Sequence, residues 1–253
     1  MIDASTARRL FSPIIVLLAW EAASRSGILN ALLVPPPSLV FLDIHDLIVT
    51  GALFDALWAS LRRVLGGFAI AVFLAVIIGV LMASFRIFED FLDPLVELIR
   101  PVSPLALFPL ALLWFGIGDA SKVFLIALSC SFPIILNTYA GVKGIDASLI
   151  RAARSLGASR AEVIARIVLP GSLPSILTGI RVAWGIALIV IIASEMVGAI
   201  NGLGFMVLDA QQTFKVERVF SGIIIIGLIG FLTDRGLRAI RRGLIPWHQE
   251  YRE

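Results

Sequence analysis

The chain has 253 residues, 59% of them hydrophobic and only 15% charged, against roughly 45–50% and about 25% in an average soluble chain. A mean hydropathy of +0.99 is more hydrocarbon than a water-facing globule of this length hides, so the composition describes an integral membrane protein. A single cysteine, Cys130, excludes a disulfide framework, and a net charge of +3 without a basic stripe excludes a nucleic-acid binder.

Crossing the hydrocarbon of a bilayer takes about 20 apolar residues as helix. Leu10 to Trp20 begins the first such stretch, and a span there runs on to Gly27. Its Arg8-Arg9 start and small residues at 22–24 also suit a signal peptide, but Glu21 is a poor neighbour for a cleavage site. Pro35-Pro36-Pro37 reads as an extended connector. Asp43 to Leu61 carries Leu47, Leu53, Leu57 and Leu61 at helical spacing, which predicts one interfacial helix. Uncharged runs then follow at Val64–Phe85, Pro101–Gly118 and Val123–Val142. From Ile167 to Leu208 only Arg181 and Glu195 interrupt, with Pro174 as the expected start of a fifth span. Val219–Thr233 supplies the sixth, and Gly202-Leu-Gly204 reads as a turn or short re-entrant stretch after the fifth. The fold expected is therefore all-α, a polytopic membrane protein of six transmembrane helices. Its parts are an N-terminal span and interfacial segment over 1–60, a core over 61–245 and a tail over 246–253.

Basic residues beside the spans set the orientation. With alternating spans and a cytoplasmic N-terminus, the inner side holds Arg8, Arg9, Arg86, Lys143, Arg151, Arg154, Arg160, Arg166, Arg235, Arg238, Arg241, Arg242 and Arg252. The outer side holds Arg25, Arg62, Arg63, Lys122, Lys215 and Arg218. Thirteen against six places both termini in the cytoplasm.

The connection between the fourth and fifth spans has a punctuation of its own. Asp146 is a good N-cap and Gly157 a good C′ residue, which predicts a helix over 147–156. Ser159 and Glu162 have the spacing of a capping box, opening a second helix expected to stop before Pro170. Leu149, Ala153 and Leu156 share one face, and Arg151 and Arg154 another.

The spelling of this connection carries more than its amphipathicity. Ala152-Ala153, Gly157 and Ile167-x-Leu169-Pro170 resemble the EAA loop of ABC-importer permeases. The likeness extends to Arg100–Gly118, to Leu177-Thr-Gly-Ile-Arg181 and to Glu195-Met-x-x-Ala-x-x-Gly-Leu-Gly204, which are similar to the branch importing taurine, alkanesulfonates and nitrate. Leu237–His248 is similar to the tail of taurine permeases. The resemblance implies a type I, MetI-like permease fold in a bacterial inner membrane. It also implies a homodimer or paired permease, two cytoplasmic ABC ATPase subunits that hold ATP and Mg, and an extracytoplasmic substrate-binding protein. No cofactor is then expected on this chain. The coupling residues it implies are Arg151, Ala152, Ala153, Leu156, Gly157, Ala158, Ile167, Leu169 and Pro170. Arg151 departs from the family pattern, which has glutamate there, so a salt bridge or cap from that position is not implied.

A charge in hydrocarbon costs about 2.5–3.5 kcal/mol on insertion scales, so Glu195 and Arg181 each need a reason. Counting from Pro174, Glu195 lies about 31 Å along the span, near its outer end, as a gate residue or as a carboxylate paired with arginine. Arg181 lies about 10 Å in, within reach of the inner surface, or it meets a passing oxyanion. Trp184 and Ser194 complete the pathway candidates. Gly66-Gly67, Gly79, Gly179 and Gly185 are expected to let helices approach closely, and Pro104, Pro109 and Pro133 to kink spans around a cavity. Catalytic readings fail for want of groups. Only His45 and His248 are present, and the zinc, nucleophile-elbow and phosphate-loop motifs are absent. The rival of another class is an ion-gradient-driven secondary transporter, which calls for inverted repeats and paired intramembrane carboxylates. For the substrate, sulfonates compete with nitrate, bicarbonate and vitamin precursors.

Overall fold

The computed structural model describes residues 4–30 and 32–244; the tail 246–253, with His248 and Arg252, lies outside them. Every regular element among the described residues is helical: α1 (Ala4–Arg25), α2 (Pro37–Val49), α3 (Ala52–Ser84), α4 (Arg86–Ile99), α5 (Phe108–Phe115), α6 (Asp119–Lys143), α7 (Ala147–Ser155), α8 (Arg160–Val163), α9 (Leu169–Gly198), α10 (Leu203–Gln212) and α11 (Val216–Leu244). A 3₁₀ turn over Pro104–Leu107 precedes α5, and a π turn over Ile164–Val168 joins α8 to α9. The described residues form two compact units, one within residues 4–59 and 200–228, the other of 60–199 and 229–244.

In the first unit Pro36 is extended (φ −65°, ψ 143°) and Pro37 opens α2, since proline suits the first helical position. The Glu21 carboxylate of α1 accepts from the Ser38 N–H (3.0 Å) and hydroxyl (2.9 Å), capping α2. Arg218 of α11 reaches Asp43 at 3.0 Å, and Ser221 donates to the Val40 carbonyl at 3.2 Å. The single interfacial helix expected over Asp43–Leu61 is divided. α2 stops at Val49, Gly51 takes φ +79°, and α3 starts at Ala52. A left-handed glycine is a helix terminator that leucine periodicity does not register.

The second unit is built on α6. A Cβ at Gly67 would lie 2.7 Å from the Val123 carbonyl oxygen, and one at Gly79 would lie 2.7 Å from Thr138 Cβ. Glycine at both positions thus brings α3 against α6 along their length. On the other flank Gly179 faces Asn137 and Pro133 at similar spacing, and Gly141 faces Ser175. Gly66 and Gly185 do not serve this purpose: a Cβ on the first meets one methyl at 3.8 Å, and one on the second meets nothing within 4 Å. Residue numbers rise together along α3 and α6 and oppositely along α6 and α9, so α3 and α6 are parallel and α9 antiparallel to them. Cys130 is a small buried residue in this seam, its thiol donating to the Ala183 carbonyl at 3.3 Å.

Among the described residues four helices are long and apolar enough to cross a membrane: Ala52–Ser84, Asp119–Lys143, Arg160–Gly198 and Val216–Ala239. The pair Arg86–Ile99 and Pro104–Phe115, bent by 89°, is apolar enough to be a fifth, broken span or a re-entrant loop. Its return is required by connectivity. Lys143 at the end of α6 pairs with Glu89 just past α3, while Asp119 at its start pairs with Arg63, so the chain from Ser84 to Asp119 must run back the length of α6. Helix α1 forms where the first span is expected, but Arg8, Arg9 and Glu21 keep its uncharged run short, and it is not among these crossings.

The helix expected to end before Pro170 continues instead. α8, the π turn and α9 make one rod from Arg160 to Gly198, passing both Pro170 and Pro174. In the π turn the Leu169 N–H bonds Ile164 O, five residues back. The carbonyl ladder is therefore offset just before a residue that has no N–H to give.

Candidate functional site

The connection between α6 and α9 folds as a short helix, a glycine turn and a capped second helix. Asp146 caps α7 by accepting from the Ser148 N–H at 2.8 Å, a bond that holds its carboxyl below the usual aspartate value. That contribution is complete above the unfolded pKa and is lost as pH falls through the lower folded one. At the other end Gly157 has φ +84°. Its N–H bonds the Arg154 carbonyl at 3.0 Å, and the Ala158 N–H bonds that of Ala153 at 3.0 Å. These two bonds form the Schellman closure that favours glycine at C′. Both halves of the Ser159–Glu162 capping box are made, and Arg160 stacks 4.5 Å over the Phe85 ring, tying the second helix to the end of α3.

The faces of this loop are sorted differently from the expectation. Ile150, Ala153 and Ala158 pack against buried Val80, Val142, Val163 and Val168, so Ala153 and Ala158 face the chain's own core. Arg151, Ala152 and Gly157 are exposed, and Leu156 is 89% exposed. Ile167 is half-buried in the π turn, while Leu169 and Pro170 lie exposed on the long rod. The outward surface of the loop is therefore Leu149, Ala152, Leu156 and the arginines.

At the opposite end of the unit the structure assembles a buried cluster of charges. The Glu195 side chain, 0% exposed, accepts from Arg63 Nη1 at 2.6 Å and from the Ser60 hydroxyl at 2.9 and 2.8 Å. Arg63, only 4% exposed, also reaches Asp119 at 2.6 Å, and Arg62 pairs with the same carboxylate. Lys122 is buried beside them, donating to the carbonyls of Ile117 (3.1 Å), Gly118 (3.2 Å) and Gly198 (2.7 Å). It closes the C-terminus of α9, where unpaired carbonyls favour a cation. The cluster ties α3, α6 and α9 together.

Of the pathway candidates, Glu195 thus sits within a paired cluster. Arg181 donates to both oxygens of Asp234 on α11, at 2.7 and 3.3 Å, and Arg238 shares that carboxylate. Trp184 is a wall of the core, its indole donating to the Thr233 hydroxyl at 2.9 Å and its ring edge-on to Phe68. Ser194 is buried, its hydroxyl donating to the Ile191 carbonyl at 2.9 Å. The four do not converge on one site. Sequence reasoning missed Ser60, Arg63, Asp119 and Lys122, and took Arg62, Arg63 and Lys122 for loop charges. The available signal was the i, i+3, i+7 spacing of Ser60, Arg63 and Gly67, which puts all three on the face of α3 that meets α6.

Comparison with known proteins agrees with this geometry. Residues 67–246 match the family described as binding-protein-dependent transport system inner membrane component. TauC of Escherichia coli, a taurine transport system permease, is 40% identical over 241 residues, which is 93% of this chain and 88% of TauC. SsuC of Bacillus subtilis, assigned to aliphatic sulfonates transport, is 37% identical over 96% of this chain and 88% of its own length. CmpB of Synechococcus elongatus, a bicarbonate transport permease, is 34% identical over 90% and 86%. The fold is that of a chain in the inward-facing MetNI methionine ABC transporter, with a TM-score of 0.60 over 76% of this chain and 97% of that one, at 20% identity. The chain belongs to the family of binding-protein-dependent transport inner membrane components, the permeases of ABC importers.

Proposed function

We propose that this permease carries a small sulfonate, taurine or a short alkanesulfonate, inward across the membrane as one of a pair. In this reading ATP is hydrolysed on two separate ATPase subunits, and an extracytoplasmic binding protein delivers the substrate. The observation that carries the reading is the family match over 67–246 together with the outward Leu156 surface of the 146–168 loop. Relatives of 40% and 37% identity named for taurine and aliphatic sulfonates support the substrate. The bulk of the basic residues beside the spans lies at the loop's end of the second unit. Arg62, Arg63 and Lys122 at the other end are matched by carboxylates and carbonyls. That asymmetry supports a cytoplasmic loop, with the C-terminal end of α11 on the same side. Docking the ATPases there couples their closure to outward opening of the spans.

The test is uptake in cells devoid of sulfonate import that express this chain with its ATPase and binding protein. Radiolabelled taurine and ethanesulfonate are expected to accumulate well above vector controls. Accumulation of nitrate or bicarbonate without either sulfonate would overturn the substrate.

A further inference from the structure

We infer that Arg100 is the anion-recognising residue of a substrate subsite inside the second unit, at the break in the bent pair. This deepens the sulfonate reading and rests on it. A cavity of about 300 Å³ lies where α4 gives way to the 3₁₀ turn, lined by Arg100, Pro104, Leu128, Ser129, Phe132 and Ile186 among others. Leu128 and Phe132 fall in the middle third of α6, about 14–20 Å from its start, so the cavity lies against the middle of that helix. Pro104 and Pro133 both line it, the latter from within the unbroken α6; Pro109 does not. The wall is otherwise aliphatic and aromatic, and Arg100 is its one charged residue.

The state of that arginine is the second observation. Arg63 and Arg181 are each held by carboxylates. Arg100 is exposed at the edge of the cavity, and its side chain makes no hydrogen bond or ion pair among the described residues. An exposed guanidinium at the edge of an apolar cavity, without a fixed counter-charge, is open to a mobile one. Its guanidinium presents two parallel N–H donors, which match two oxygens of a sulfonate. The apolar wall accommodates a short hydrocarbon stem, and the volume is at the lower bound of small-molecule sites. The ligand class is therefore a compact oxyanion on two to four carbons. The Ser129 hydroxyl already donates to the Leu125 carbonyl at 2.5 Å, so it offers a lone pair to an amine or hydroxyl on that stem. A purely structural role is also available to Arg100, which follows the last turn of α4 and complements its dipole. The experiment separates the two.

Taurine uptake is measured with the full transporter carrying Arg100→Gln, Arg100→Lys or Phe132→Ala. Alongside it are measured the ATPase stimulation by taurine-loaded binding protein and the melting temperature. Arg100→Gln is expected to slow uptake about ten-fold or more, the loss of a charge-assisted pair, with ATPase stimulation and melting temperature unchanged. Arg100→Lys is expected to fall between Gln and wild type. Phe132→Ala is expected to shift competition by unlabelled hexanesulfonate against taurine about three-fold in favour of the longer chain, since methylene discrimination depends on pocket fit. Uptake within two-fold of wild type in Arg100→Gln, full restoration by lysine with a lowered melting temperature in Gln, or ATPase stimulation falling with uptake would each overturn the inference, as would an unchanged competition ratio. Because wild-type taurine uptake is the common control, its absence overturns the proposed function, whereas its persistence in Arg100→Gln overturns the subsite alone.

Discussion

Replacing Glu195 with alanine is expected to cost about 3–5 kcal/mol of stability, the range for removing one partner of a buried ion pair. Arg63 would remain 4% exposed with Asp119 as its carboxylate, and the Ser60 hydroxyl would lose its acceptor. In a chain of this length that corresponds to a fall in melting temperature of about 10 °C, readable by tryptophan fluorescence of the detergent-purified protein. Glu195→Gln keeps an acceptor for Ser60 and Arg63 without the charge, so its cost is expected to be about half as large. The apolar pair Glu195→Leu with Arg63→Met is expected to recover most of the loss, because desolvating two charges offsets much of their attraction. A fall below 1 kcal/mol for Glu195→Ala would contradict the cluster's structural role. Transport in the apolar pair then separates latch from gate. Recovery of both stability and uptake assigns Glu195 to structure, and recovery of stability alone assigns it to the pathway.

Gly157→Val is expected to reduce taurine uptake about ten-fold while the permease stays in the membrane. A Cβ there meets nothing within 4 Å, so sterics with neighbours play no part. The cost is the left-handed conformation, roughly 1–2 kcal/mol and more for a β-branched residue, enough to unmake the Schellman turn and swing Leu156 away from its place. Gly157→Asn tolerates this conformation and is expected to transport within two-fold of wild type. Leu156→Asp leaves the backbone alone and removes the exposed knob, so it is expected to release the ATPase from the permease on co-purification. Ala153→Trp is a poorer probe than the amphipathic pattern suggests, because it would wedge the loop off Val80 and Val142 before meeting any partner. Normal uptake and co-purification in both Gly157→Val and Leu156→Asp would contradict the coupling role.

The local features of this protein were legible because each is encoded within a few residues. The N-cap at Asp146, the positive φ of Gly157 and the capping box at Ser159 are all read from spacing alone. The uncharged runs found α3, α6 and α11, and hydropathy located their apolar middles better than their ends. What escaped is long-range. Arg63 and Glu195 are 132 residues apart, and Arg63 and Asp119 56 apart, so nothing local distinguishes a buried arginine from a loop charge. The uninterrupted passage through Pro170 and Pro174 depends on a π turn, which leaves no compositional mark. Leu149, Ala153 and Leu156 share a helical face on paper, yet Ala153 turns inward and both leucines outward. The division between them is set by where α3 and α6 lie, which the heptad-like spacing cannot report.

In the proposed function, transport by this permease is driven by ATP on partner subunits and not by an ion gradient. This is tested by uptake into proteoliposomes holding the permease with its ATPase, with binding protein and labelled taurine outside and ionophores collapsing proton and sodium gradients. Taurine is expected to accumulate when ATP and Mg are enclosed, insensitive to the ionophores and not with a non-hydrolysable ATP analogue. Accumulation without ATP, driven by an imposed sodium or proton gradient, would contradict it.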